Sequence, residues 1–188
     1  MATPVGHSLL GITIARLAGG ATEHRTWRWY AYAAVAANAA DLDFLPGLLV
    51  GDANRFHQML SHSLFAACVF AAAAATVARP AGMGAVRLGW ASGGLYASHL
   101  LLDFFTRDLR PPLGLPLFWP LSTSTFISSW TPFPGVVHGN PGTPTPAVFA
   151  QLLSWHNLAA IAVEIVALLP PLALVWYFTA ARLRTARP

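Results

Sequence analysis

The fold is decided by the longest apolar run, residues Val148–Ala181, which reads VFAQLLSWHNLAAIAVEIVALLPPLALVWYFTAA. A helix needs about 20 predominantly apolar residues to cross a bilayer, because its backbone polar groups must be satisfied internally there. This run exceeds that length, and Glu164 is its one charged residue. It therefore predicts a membrane-spanning helix, with a kink at Pro170 and Pro171.

Four other apolar runs precede it. Three reach the spanning length, at Trp29–Val50, Leu60–Ala78 and Val86–Phe105, whereas Val5–Ala18 is short enough to be either an interfacial helix or a crossing one. The composition agrees, because 55% of the residues are apolar and 10% are charged, against about 45–50% and 25% in soluble domains. We expect a single all-α domain, residues 1–188, that forms an integral membrane bundle of four or five transmembrane helices.

One long segment, residues 107–147, does not resemble a span. It is rich in Pro, Gly, Ser and Thr and contains Trp119, Trp130 and Phe133. A loop of this length in a small protein is usually functional or disordered, and aromatic residues favour the membrane interface. We expect an extracytoplasmic loop that covers the functional site.

The arginines predict the orientation of the bundle. All eleven basic residues are arginine and the net charge is +4, but if every run crosses, eight arginines fall on one side and three on the other. The richer side is cytoplasmic by the positive-inside rule, so we expect a bacterial inner-membrane protein with its C-terminus in the cytoplasm and no nucleic-acid partner. The cytoplasmic set is Arg16, Arg25, Arg28, Arg79, Arg87, Arg182, Arg184 and Arg187, and the opposite set is Arg55, Arg107 and Arg110.

Seven acids and histidines lie at the extracytoplasmic ends of the predicted runs. Burying such groups in lipid is costly, so those within spans usually have a function. They begin the first and third runs and end the second and fourth, and they are His7, Asp41, Asp43, His57, His62, His99 and Asp103. The last two are four residues apart, so they share one face of a helix.

Imidazole and carboxylate ligands at an open site suit Zn²⁺, which activates water and polarises an ester oxygen. Seven candidates exceed the needs of one ion, so two or more are plausible, and Mn²⁺ or Fe²⁺ also fit such a donor set. The predicted metal ligands are His7, Asp41, His57, His62, His99 and Asp103. Asp43 is predicted as a ligand, a partner that orients a histidine, or the catalytic general base.

The substrate is expected to be amphiphilic, because the predicted site lies near the membrane surface. Its head group would reach the metal while its chains remain in the bilayer. Arg107 or Arg110 is a candidate to bind phosphate, and His138 is a further candidate in the same loop. Trp119 and the rest of residues 107–147 are predicted to form a lid.

Several short motifs together resemble the YdjM-like family of bacterial membrane-bound, metal-dependent hydrolases. They cover about residues 3–122 in the family's order, and they are Gly6-His7, Asp41-Leu42-Asp43, residues 57–64 (HQMLSHSL), residues 98–103 (SHLLLD) and residues 114–121 (GLPLFWPL). The chain departs from the family pattern at Phe44, where relatives commonly have histidine, and at Gln58 and Ser61. A distant likeness to zinc-dependent phospholipase C implies phosphoester hydrolysis by analogy.

Two other classes of function use the same residues differently. A transporter or ion-binding protein would need polar groups that continue through the membrane, and Glu164 is the one residue that offers such a continuation. A structural membrane protein with incidental histidines would bind no metal. The sequence favours a metal-dependent hydrolase that acts on a phosphoester or another ester of a lipid-like substrate.

Overall fold

The computed structural model describes residues 1–18, 26–81 and 84–185, with the backbone alone for 182–185. These ranges contain α1 (Pro4–Ala18), α2 (Trp27–Ala37), α3 (Phe44–Leu49), α4 (Leu64–Ala78), α5 (Ala85–Phe104), α6 (Thr145–Leu152) and α7 (Trp155–Thr185). Two 3₁₀ turns occupy Ala39–Asp43 and Leu60–His62. The described residues form no β-strand, which confirms the all-α class. Arg25, Arg187 and the side chains of Arg182 and Arg184, all used to predict orientation, lie outside this description.

The single span predicted at Trp29–Val50 is wrong. Helix α2 ends at Ala37, and the first 3₁₀ turn separates it from α3. The break begins at Asn38, whose side-chain Nδ2 donates a hydrogen bond to the Ala34 carbonyl at 2.8 Å. Short polar side chains that bond to the backbone compete with the regular helical pattern, so a helix readily ends there.

The last apolar run also divides into two helices. Helix α6 ends at Leu152 and α7 begins at Trp155, with Asn157 Nδ2 donating to the Gln151 carbonyl at 2.9 Å across the junction. Helix α7 continues through both prolines. Within the described ranges, Trp155–Ala181 is the one helix long and apolar enough to cross a membrane, and few of its residues are buried. The number of four or five transmembrane helices therefore stays a prediction.

Small residues let the helices approach closely. A Cβ atom on Gly11 of α1 would lie 2.6 Å from Ala37 Cβ of α2, and one on Gly89 of α5 would lie 3.0 Å from Ala75 Cβ of α4. Glycine and alanine are enriched at helix interfaces in membranes, where close backbone packing replaces the hydrophobic effect between helices. The alanine-rich runs therefore pair helices.

Contacts at the helix ends give the directions of the helices. Arg16 Nε in the last turn of α1 donates to Thr179 Oγ1 of α7 at 2.7 Å, while the start of α1 meets Glu164, so α1 and α7 run in the same direction. Trp29 Nε1 near the start of α2 donates to the Ala15 carbonyl near the end of α1 at 3.2 Å, so α2 runs back.

Helices α4 and α5 form a second antiparallel pair. The Tyr96 hydroxyl on α5 donates to the Ser61 carbonyl just before α4 at 2.6 Å. His99 Nδ1 donates to the carbonyl of Ala37 at the end of α2 at 2.9 Å. The starts of α1 and α4 and the ends of α2 and α5 therefore meet at one end of the bundle, which we call the site end.

The segment between α5 and α6 lies across the site end. Its backbone is bonded to the bundle through Val136 N and the Met1 carbonyl at 3.1 Å, and through the Leu117 carbonyl and Leu64 N at 2.9 Å. It contains no helix before Thr145. This placement agrees with a loop that covers the predicted site.

Candidate metal centre

The structure brings the six predicted metal ligands together at the site end. They come from four parts of the chain, namely α1, the two turns with the loop between them, and the last turns of α5. Their donor atoms form three overlapping groups, each within 4.8 Å, made of His7, Asp41 and His99, of Asp41, His57 and His62, and of His62, His99 and Asp103. We call these six residues the His–Asp cluster.

Two histidines and two aspartates form its centre. His99 Nε2 lies 3.2 Å from His62 Nε2 and 3.3 Å from Asp103 Oδ2. Asp41 Oδ1 lies 3.5 Å from each of the two histidine Nε2 atoms. Four donors around a tetrahedral zinc at about 2.0–2.1 Å are separated by about 3.3–3.4 Å. The spacing between donor atoms therefore matches the shell of one metal ion.

Hydrogen bonds behind two of the rings direct their other nitrogens inward. His99 Nδ1 donates to the Ala37 carbonyl, and His57 Nδ1 donates to Asp43 Oδ1 at 2.8 Å. A metal-binding histidine usually donates its second N–H to a carboxylate or a carbonyl, which fixes the tautomer. His99 Nε2 is thereby left to face the cluster with its lone pair, while His57 Nε2 meets Met1 Sδ at 2.7 Å.

Asp43 lies beside the cluster with both carboxylate oxygens engaged. Oδ1 accepts the bond from His57, and Oδ2 accepts from Ser61 Oγ at 2.5 Å and from Gln58 N at 3.1 Å. His62 Nδ1 is 3.4 Å from the same Oδ2. This arrangement supports the orienting role among the three predicted for Asp43, and its assignment as general base stays a prediction.

Several buried atoms of the cluster have no hydrogen-bond partner among the described residues. They are both oxygens of Asp41, Oδ2 of Asp103 and both ring nitrogens of His7. Buried polar groups in proteins are nearly always paired, so each exception needs a reason. A divalent cation at the centre of these donors supplies that reason, and the residues therefore fit a metal ion.

The charges of the cluster also suit a cation. Burial lowers the pKa of His57 in spite of its bond to Asp43, so that imidazole is neutral. Burial also opposes the charging of His62, but hydrogen bonds to Asp41 and Asp43 outweigh it and raise the pKa of His62 to about 10. The carboxylates thus attract a positive charge, which a metal ion provides with a larger gain.

A family comparison now adds to the geometry. A family model described as YdjM inner membrane protein matches residues 1–183. The chain belongs to the YdjM family. The match confirms the resemblance and extends it from residue 122 through α7, and the family's description supports an inner-membrane location. Neither a curated protein nor a solved structure matches the chain.

The YdjM-family chain places two predicted substrate residues beside the cluster. Arg110 is buried, and its Nη2 donates to the His57 carbonyl and to Gln58 Oε1, both at 2.9 Å, while Nη1 has no partner in the described part of the chain. His138 is buried with its ring edge-on to His57 at 5.2 Å, and its Nδ1 donates to Asn54 Oδ1 at 2.7 Å. Burial, with the nearby His57 and Arg110, lowers the pKa of His138 to about 3.

The other two predicted substrate residues lie farther out. Arg107 is exposed, and its backbone N–H donates to the Phe133 carbonyl at 2.9 Å. Trp119 is half-buried and packs edge-on against Phe65 of α4 at 5.7 Å. Neither belongs to the metal-capable groups, so a substrate would meet them only outside the cluster.

Sequence reasoning missed the residues that hold the cluster in place in this YdjM-family protein. Ser61, Asn54 and Thr3 are ordinary small polar residues, and no spacing rule marks them in advance. Phe44, which replaces a common family histidine, stacks on the His57 ring with centroids 3.9 Å apart. Glu164, predicted as a possible continuation of a polar path, bonds instead to Thr3 at the start of α1.

Proposed function

We propose that this YdjM-family protein is a membrane-bound, metal-dependent hydrolase. The observation that carries the proposal is the set of buried, unpartnered donor atoms on His7, Asp41 and Asp103, which lie with His62 and His99 at the separations of metal ligands. Structural ion pairs rarely leave both oxygens of a buried carboxylate without a hydrogen bond. A metal-capable centre at the surface end of a membrane bundle suits catalysis on a lipid-like ester.

The chemistry divides between the ion and the chain. A bound divalent cation, most plausibly Zn²⁺ with Mn²⁺ or Fe²⁺ as alternatives, would act as a Lewis acid toward water and an ester oxygen. The His–Asp cluster holds it, and Asp43 keeps the rings of His57 and His62 in position. The loop across the site end limits the access of bulk water.

The substrate is proposed to be a phosphoester, or another ester, of an amphiphile. Arg110 keeps one guanidinium nitrogen unpartnered beside His57, and a guanidinium is well suited to bind a phosphate oxygen. His138 is neutral next to the cluster and presents a ring that can accept or donate a hydrogen bond. Both residues serve an anionic head group better than a neutral one.

The bundle is proposed to cross the inner membrane several times, with the site end on the extracytoplasmic side. Helices other than α7 also expose large apolar side chains, including Val77 of α4 and Trp90 of α5, which are 68% and 80% exposed. Arg16, Arg28 and Arg79 lie at helix ends opposite the cluster. Arginine-rich ends favour the cytoplasm.

The transporter alternative is less well supported. It needs polar groups that lead from the cluster toward the opposite end of the bundle. Glu164 was the residue that offered such a path, but its carboxylate accepts hydrogen bonds from Thr3 at the site end. That observation favours a site for chemistry at one face.

The test is hydrolysis by the purified full chain. Protein stripped of metal and reloaded with Zn²⁺, Mn²⁺ or Fe²⁺ is assayed on phospholipids, lipid phosphates and carboxylic esters, with His99→Ala beside the wild type. We expect turnover that requires metal and falls at least a hundredfold in His99→Ala. Metal-loaded protein that turns over none of these esters, yet moves the ion across proteoliposomes, would replace the enzyme with the transporter.

A further inference from the structure

A separate cavity adjoins the cluster on the side of α3 and α6. It has a volume of about 250 Å³, and most of its wall is apolar, formed by side chains such as Leu48, Ala53, Val148, Phe149 and Leu152. Its two polar lining side chains are Asp41 and His138. We call it the α3–α6 chamber.

The position of the chamber ties it to the proposed chemistry. Asp41 belongs to two of the three metal-capable groups, and the ring of His138 lies edge-on to that of His57. A molecule in the chamber therefore has its polar end beside the cluster and the rest of its length against hydrocarbon. Pockets with apolar walls and a few polar groups at one place bind ligands of matching polarity.

The rim of the chamber is open to an apolar phase. Leu49, next to the lining residue Leu48, is 87% exposed, and Leu153, next to Leu152, is 82% exposed. Apolar side chains this exposed on a membrane protein face lipid more readily than water. A hydrocarbon chain can thus pass from the bilayer into the chamber without crossing a polar barrier.

We infer that the α3–α6 chamber binds the hydrocarbon chain of an anionic amphiphile whose head group lies at the His–Asp cluster. The inference rests on the proposed function and adds the place where the chain of the substrate binds. It makes Leu48, Phe149 and Leu152 residues that determine chain-length preference.

A second groove offers an alternative place for the chain. It lies along α4 and is lined by residues including Leu60, Ser61, Phe65, Val69 and Trp119. Its inner end reaches Ser61, which contacts Asp43 and His62, but no member of the His–Asp cluster lines it. The contact with Asp41 favours the α3–α6 chamber, and the two places can be filled separately.

The test uses n-alkyl phosphates of four to eight carbons, with inorganic phosphate as the head group alone. Binding to the metal-loaded full chain in amphipol is measured by calorimetry, because these probes are water-soluble and no detergent chain competes. The variants Leu48→Trp and Leu152→Trp fill the chamber from opposite walls at half-exposed positions. Val69→Trp fills the α4 groove and serves as the matched control.

In the wild type, we expect octyl phosphate to bind at least tenfold more tightly than butyl phosphate. Either chamber variant should remove most of that gain while leaving inorganic phosphate binding and metal content unchanged, and Val69→Trp should retain the gain. Metal-dependent phosphate binding with no dependence on chain length, or a gain lost only in Val69→Trp, would overturn the chamber and leave the proposed hydrolase intact. Absence of binding by every phosphate probe would contradict both proposals.

Discussion

Glu164, in the first half of α7, accepts hydrogen bonds from the backbone N–H of Thr3 at 2.9 Å and from the hydroxyl of Thr3. Both residues are buried. Thr3 immediately precedes α1, so the carboxylate lies where the free N–H groups and the positive end of that helix need an acceptor. Since His7 follows one turn later, this contact between α7 and α1 sets the position of one predicted metal ligand.

Loss of the Glu164 carboxylate should therefore loosen the start of α1. Glu164→Ala leaves two buried donors of Thr3 unpaired, and we expect the protein to lose about 2–4 kcal/mol of stability together with part of its metal affinity. Glu164→Gln keeps an acceptor and should lose less. Thermal unfolding and metal titration of the detergent-solubilised variants check this, and an unchanged midpoint and affinity in Glu164→Ala would show that the contact has no positioning role.

Gly6 should tolerate no side chain. A Cβ at this position would overlap Glu164 Oε2 and lie 3.2 Å from a methyl group of Leu102. We expect Gly6→Ala to cost about 1–3 kcal/mol, because the surrounding carboxylate must shift. Gly94→Ala is the matched control, since a Cβ there meets nothing within 4 Å, and it should be neutral or stabilising by up to about 1 kcal/mol. Equal unfolding midpoints for the two variants would refute the close approach of α1 and α7.

Asp43 should act on metal affinity through the histidines it holds. Asp43→Ala removes the acceptor for His57 Nδ1 and for the Ser61 hydroxyl, and we expect metal affinity to fall about 10–100-fold. Asp52→Asn removes a carboxylate charge outside the cluster, where Asp52 Oδ2 accepts from Gly142 N at 2.8 Å. It should leave affinity unchanged. A similar loss in both variants would point to general electrostatics instead of ring orientation.

The proposed orientation predicts which positions a membrane-impermeant thiol reagent reaches. In a Cys68→Ala background, Leu121→Cys places a thiol in the loop at the site end, where Leu121 is 92% exposed. Arg79→Cys places one just after α4, at the opposite end. Intact spheroplasts should label Leu121→Cys, and Arg79→Cys should react only after permeabilisation. The reverse pattern would invert the proposed topology.

The sequence was sufficient to predict which residues meet at the site end. Charged groups are rare in this chain, so the few that lie at the ends of apolar runs stand out, and alternation of run direction brings those ends to one face. The spacing of His99 and Asp103 on one helix face also holds, since their Nε2 and Oδ2 atoms are 3.3 Å apart in α5.

The residues that orient the site could not be predicted in the same way. The run at Trp29–Val50 is apolar enough for one helix, and only the bond from Asn38 to Ala34 and the packing of the 3₁₀ turn show why it breaks. Ser61 and Thr3 matter through contacts with Asp43 and Glu164, which lie 18 and 161 residues away in the chain. Such contacts depend on tertiary packing, so local pattern does not reveal them.

The central claim is that the His–Asp cluster binds a metal ion. Elemental analysis of purified protein tests it most directly, with wild type, His99→Ala and Asp103→Ala compared after identical metal reconstitution and desalting. We predict at least one equivalent of a divalent transition metal per wild-type chain and a loss of most of it in both variants. Wild-type protein that retains no stoichiometric metal would contradict the account.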